Sequence, residues 1–197
     1  MGRRRLEEIR KKEILDALIR VVSENGASGA SIRSVANEVG CSHAMITHYV
    51  SSKAELFLLG VEHLLSLYDQ KIPYRGAEAG SARAALEVFV RLYLSLASEK
   101  SGGVGRAWLE FCLLANESEG IRAAIDRGLK RGQKAVARIV KDGIKANEFR
   151  PVDANEFARA LIALLEGANL LRISSGVFTE KQGETAAMGM VASLLAD

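Results

Sequence analysis

The chain has 197 residues, a net charge of +3, 48% hydrophobic residues and 26% charged residues. That composition is enough for a sizeable core and argues against disorder. Its two cysteines, Cys41 and Cys112, stand far apart, which argues against a disulfide framework and for a reducing compartment. The N-terminus, MGRRRLEEIRKKEIL, lacks the apolar segment of a signal peptide, and AAMGMVASLLA is too short to span a bilayer. We therefore expect a cytoplasmic protein with no membrane partner.

In chain order, helix signals dominate and strand signals are weak. Ile14, Leu18, Val21 and Val22 make one apolar helix face, which ENG at 24–26 ends, with Gly26 free to take positive φ. Ser31 is a candidate N-cap for a short helix, IRSVANEV, ending at Gly40; Ser42 is one for a third, HAMITHYV. Ser52 with Glu55 reads as a capping box that opens a longer helix, KAELFLLGVEHLLSLY. After KIPYRGAEAGS the expected helices lengthen, to roughly 81–99, 104–116, 119–147, 154–174 and 180–196. Candidate caps are Asn116 with Glu119, Asp153 with Glu156 and Thr179 with Gln182. The expected fold class is all-α: an N-terminal three-helix unit, a connecting helix and a C-terminal bundle.

Charge is unevenly placed. Residues 1–53 hold nine Lys and Arg against six Asp and Glu, an excess equal to the whole net charge of +3. Six of the nine lie before residue 13. Such an arm suits a polyanion, although a solvated, frayed end has the same composition.

The segment 32–50, IRSVANEVGCSHAMITHYV, places Ala36, Gly40 and Ile46 where a helix-turn-helix needs a small contact residue, a left-handed turn residue and a branched core residue. Val35, Val39 and Ile46 can form its core. His43, Ala44, Met45, Thr47 and His48 are left mostly outward. A solvated helix would carry Lys and Glu there; an uncharged, mixed face suits base edges. A metal or catalytic site is a poor alternative. His43 and His48 are five apart, roughly 500° around a helix, so they do not share a face. A plain local core with incidental histidines is the other alternative.

Residues from about Glu8 to Tyr68 resemble the DNA-binding domain of TetR-family repressors. The resemblance rests on Ile14-Leu15, Ser31, Ala36, Gly40-Cys41-Ser42, Tyr49 and Ser52-Lys53-Ala54-Glu55-Leu56. Val50 departs from it, since an aromatic residue is commoner there. ITHYV and RAWLEF are similar to the choline-responsive betaine-pathway branch. The resemblance implies a DNA-binding domain over 8–68, with its motif at 31–50, and a ligand-binding and dimerisation domain over 69–197. It places Tyr49 and Lys53 against phosphates, and Lys53 in the first turn of a helix is chemically suited to that. The DNA-contacting set is then Ser31, Arg33, Ser42, His43, Ala44, Met45, Thr47, His48, Tyr49 and Lys53. Arg3 to Arg5 are candidates for groove or backbone contacts.

Two sets of residues in the second part carry further expectations. Phe157, Leu161, Leu164, Leu165, Ala168 and Leu171 form a wide apolar stripe, and the last helix, with Gly189 and Val191, is apolar nearly all round. The resemblance implies a two-fold dimer interface there, although burial within one chain would read the same. Glu110, Glu166 and Asn169 are polar residues inside apolar runs, and buried polar groups need partners. With Phe89, Tyr93, Trp108 and Phe111 they suggest an enclosed pocket for an organic cation. The expected function is a ligand-responsive repressor binding palindromic DNA as a homodimer, with an unidentified small-molecule effector and no cofactor or metal. The alternatives are a ligand-free architectural or adaptor protein and a helical-bundle enzyme, for which no P-loop, GxSxG or HExxH motif is present.

Overall fold

In the computed structural model, residues 2–71, 80–98 and 102–195 are described. They form α1 (Gly2–Gly29), α2 (Ile32–Val39), α3 (His43–Tyr49), α4 (Lys53–Lys71), α5 (Ala82–Leu96), α6 (Val104–Leu114), α7 (Glu119–Lys145), α8 (Ala154–Ser175) and α9 (Glu180–Ala192). The only strand-like pairing among these residues is a single antiparallel bridge between Phe149 and Leu195. The all-α expectation holds.

The chain divides into two compact units, Met1–Leu67 with Glu99–Ile125, and Tyr68–Ser98 with Asp126–Asp197. The first crossing falls beside the expected boundary at 68/69. The second does not, because α6 and the start of α7 pack with α1–α4. Phe111 of α6 is fully buried, with its ring edge-on to Phe57 of α4 at 6.1 Å. Gly60 of α4 permits the close approach: a β-carbon there would lie 2.5 Å from Leu18 and 3.3 Å from Phe111.

Most helix ends follow the sequence signals. α1 is broken at Gly26 (φ 69°, ψ 170°). Gly40 takes φ 73° at the end of α2 and donates its N–H back to the last turn, as the left-handed cap requires. The Thr179–Gln182 capping box is complete, and Asp153 accepts the Asn155 and Glu156 N–H groups. Two signals were misread. Ser52 caps α4 through the Glu55 N–H at 3.1 Å, but the Glu55 carboxylate reaches back to Ser51, not to Ser52. Ser118, not Asn116, lies before α7 and accepts the Ile121 N–H. Asn116 is taken up in the turn that closes α6.

The second unit has one core. Leu86, Phe89 and Val90 of α5 meet Val136, Ile139 and Val140 of α7, Leu161 and Leu165 of α8, and Ala187 and Val191 of α9. Glu148 ties the start of α5 down by accepting the Ala82 and Arg83 N–H groups, each at 3.2 Å.

Candidate nucleic-acid interface and effector site

The candidate reading head is α3 with its flanks. Ser31 and Ser34 make a reciprocal cap that starts α2, and Ser42 accepts the Met45 N–H at 3.2 Å to start α3. The side-chain oxygens of Ser31 and Ser42 are thus engaged in shaping the motif. Val35, Ala36, Ile46 and Val50 are buried, which orients α3. Val39, expected in that core, is only half-buried. His43, Ala44, Met45, Thr47 and His48 are all exposed, and Tyr49 is half-buried with its ring edge-on to His48 at 5.3 Å. The Thr47 hydroxyl donates to the Ala44 carbonyl at 3.1 Å, which leaves its lone pairs outward. Arg33 is exposed on α2. The side chains of Arg3 and Arg4 lie outside the described residues.

This head is braced from behind. Arg20 of α1 pairs with Glu38 of α2 at 2.6 Å. Asp16 of α1 meets His63 of α4 at 2.7 Å and Lys12 at 2.7 Å. Burial alone would push the Asp16 carboxyl up, but hydrogen bonds from Lys12 and His63 outweigh it and hold the group below its ordinary value. Hydrogen bonds from Ser51 likewise lower Glu55 at the start of α4. The sequence pattern gave no hint of the Asp16–His63 pair, because its members lie 47 residues apart.

Lys53 is exposed, as a phosphate contact requires. Its ammonium is 5.2 Å from the Phe57 ring centroid and donates to the Ala27 carbonyl at 3.4 Å. Both are soft contacts on a flexible stem.

The seven expected pocket residues do not make one cluster within either unit. Trp108, Glu110 and Phe111 belong to the first unit, and Phe89, Tyr93, Glu166 and Asn169 to the second. Glu110 accepts the Ala27 N–H at 2.8 Å, because the break at Gly26 strips that donor of its helical acceptor. Trp108 and Phe111 are core side chains. In the second unit the Tyr93 ring stacks on Phe89 at 5.7 Å and tilts against Tyr68 at 5.2 Å, and its hydroxyl donates to Glu166. Tyr68 was missed, for nothing in its local pattern distinguishes it from other apolar positions of α4. Asn169 is 3% exposed, and its side-chain oxygen has no hydrogen-bond partner among the described residues.

The expected interface set divides by burial within its unit. Leu161, Leu165, Ala168 and Val191 are buried in their own unit's core. Leu171 (44% exposed) and Gly189 face outward, and Phe157 and Leu164 are half-buried. Ala160, Ala163 and Leu170 on α8 are exposed too, although a stripe of short side chains drew no notice in the sequence.

No three His, Cys, Asp or Glu side chains gather as a metal site among the described residues, and no described helix is long and apolar enough to cross a membrane.

Comparison with known proteins agrees with this anatomy. Residues 14–59 match the model of bacterial regulatory proteins of the tetR family, and residues 82–196 match the BetI-type transcriptional repressor C-terminal model. The HTH-type transcriptional regulator BetI of Brucella anthropi is 29% identical over 117 residues, 59% of this chain and 60% of that protein. The chain thus spans about three fifths of that relative's length. BetI of Burkholderia thailandensis is 27% identical over 193 residues, 97% of this chain and 96% of that protein. A TetR transcription regulator from Haloarcula marismortui superposes with a TM-score of 0.87 at 22% identity, covering 96% of this chain and all of that one. A transcriptional regulator from Saccharomonospora viridis in complex with choline gives 0.84 at 21% identity with the same coverage. These two structures share the fold.

Proposed function

This chain belongs to the TetR family of bacterial regulatory proteins, with a BetI-type C-terminal region, and we propose that it is a ligand-responsive repressor binding palindromic operator DNA as a homodimer. The observation that carries this reading is the exposed, uncharged face of α3, held outward by two serine caps and a buried Ile46. His43, Ala44, Met45 and Thr47 read base edges, His48 and Arg33 each read an edge or a phosphate, and Tyr49 and Lys53 hold the backbone. Two heads must meet half-sites about 34–36 Å apart, which requires a dimer. The outward residues of α8 and α9, Leu164, Leu171 and Gly189 with Ala160 and Ala163, supply its surface. Such a protein works in the cytoplasm, where the chromosome is.

The effector is a small organic cation. Tyr68, Phe89 and Tyr93 provide aromatic faces beside the Glu166 carboxylate, and the unpartnered oxygen of Asn169 accepts a donor from the ligand. The choline held by the Saccharomonospora viridis regulator is of this class. Helix α4 carries Lys53 at one end and Tyr68 near the other, so one continuous element joins the phosphate contact to the effector site. The ligand then shifts operator affinity by its preference for one arrangement of that helix.

The test is binding to the neighbouring promoter DNA at several salt concentrations. Tyr49→Phe and Lys53→Ala should weaken binding to all sequences, and Lys53→Ala should also flatten the salt dependence, whereas Thr47→Ala should alter base preference. Wild-type protein with no operator preference at moderate salt overturns the reading. Calorimetry with choline on wild type and Glu166→Gln tests the effector; tight binding of only neutral or anionic compounds removes the cation.

A further inference from the structure

We propose that a cleft in the first unit is a second binding site, for an amphipathic organic ammonium ion, and that the Lys53 ammonium is its tethered competitor. The cleft, of about 620 Å³, is walled by the break in α1, the first turns of α4, and α6 with the start of α7. It is distinct from the aromatic cluster around Glu166, and all its lining residues lie in the one unit.

Three observations define its chemistry. The first is the seat already taken by a cation: Lys53 Nζ lies 5.2 Å from the Phe57 ring centroid and 3.4 Å from the Ala27 carbonyl oxygen. An aromatic face and a carbonyl together recognise an ammonium group. The second is the charge balance. Among the described lining residues Lys53 is the one cation, while Glu110 and Glu117 are two anions. An anionic ligand would meet an excess of like charge there. The third is the apolar wall of Leu113, Leu114 and Ile121, with Leu113 65% exposed. An exposed leucine beside two carboxylates fits a short alkyl chain that ends in a cation.

Lys53 leaves this seat by turning its own stem, with no change in the backbone. Once it has left, two carboxylates, an aromatic face and a carbonyl line the cleft, with no cation among the other described lining residues. If Lys53 engages phosphate, as the functional reading above holds, DNA binding vacates the seat. By linkage the ammonium ligand and DNA then strengthen each other's binding.

The test is titration calorimetry with hexyltrimethylammonium on the full-length protein without DNA. Lys53→Met keeps the apolar stem and removes the competitor, so affinity should rise by about fivefold, the scale of one cation–π contact. Adding Glu117→Gln to that variant should reverse most of the gain. Equal affinity for wild type and Lys53→Met overturns the proposal. So does hexanoate binding to wild type that Lys53→Met abolishes, because the cleft would then be an anion site. A second titration, on wild type saturated with duplex DNA, separates the two readings. A rise in affinity supports both. No rise, with the Lys53→Met gain intact, leaves the cleft standing and counts against Lys53 as a phosphate contact.

Discussion

Glu110 and Glu166 look alike in the sequence, each a lone carboxylate inside an apolar helical run. The two units use them differently. In the first, Glu110 repairs a backbone defect by accepting the Ala27 N–H freed at the Gly26 break. In the second, Glu166 takes the hydroxyl of Tyr93 within an aromatic cluster. Each carboxylate thus already holds a donor, a peptide N–H at the helix break for Glu110 and a phenol hydroxyl for Glu166. The exposed faces differ in the same way. The outward residues of α3 were legible one by one, while the stripe on α8 concealed which half of it was core.

The largest expected effect tests that stripe. Leu161→Ala should cost about 2–5 kcal/mol of unfolding free energy, because it opens a cavity in a fully buried core. Leu171→Asp should leave the melting temperature of the fold little changed and shift light scattering from dimer towards monomer. The same loss of stability from both would mean that α8 has no separate outer face.

Next comes the contrast between the two carboxylates. Glu110→Leu leaves the Ala27 N–H without its acceptor and should cost about 1–3 kcal/mol in denaturant unfolding. Glu110→Gln keeps an acceptor and should cost less. Tyr93→Phe, which removes one neutral donor to Glu166, should cost about 1 kcal/mol and alter effector affinity more than stability. A larger stability loss from Tyr93→Phe than from Glu110→Leu would reverse the assignment of roles.

The smallest effect concerns pH. Asp16 has its folded pKa held below the ordinary value by Lys12 and His63. A depressed carboxyl adds stability above its unfolded pKa and loses it as pH falls through the folded one. Acid unfolding of Asp16→Asn should therefore be flatter through the carboxylate range than that of wild type, with the curves converging at the acid end. Parallel curves would exclude the pair as a source of acid sensitivity.

By itself the sequence determined the helices, most of their caps and the helix-turn-helix with its outward face. Those features depend on spacings of three to ten residues, and Ser31, Gly40, Ser42 and Ile46 state them locally. Tertiary structure alone decided that α6 packs on α1 and α4, that Glu110 serves Ala27 across 83 residues of chain, that Tyr68 joins Tyr93, and that Leu161 and Leu165 are core. Helical periodicity says which residues share a face. It does not say what that face meets, because burial depends on partners brought together from distant parts of the chain.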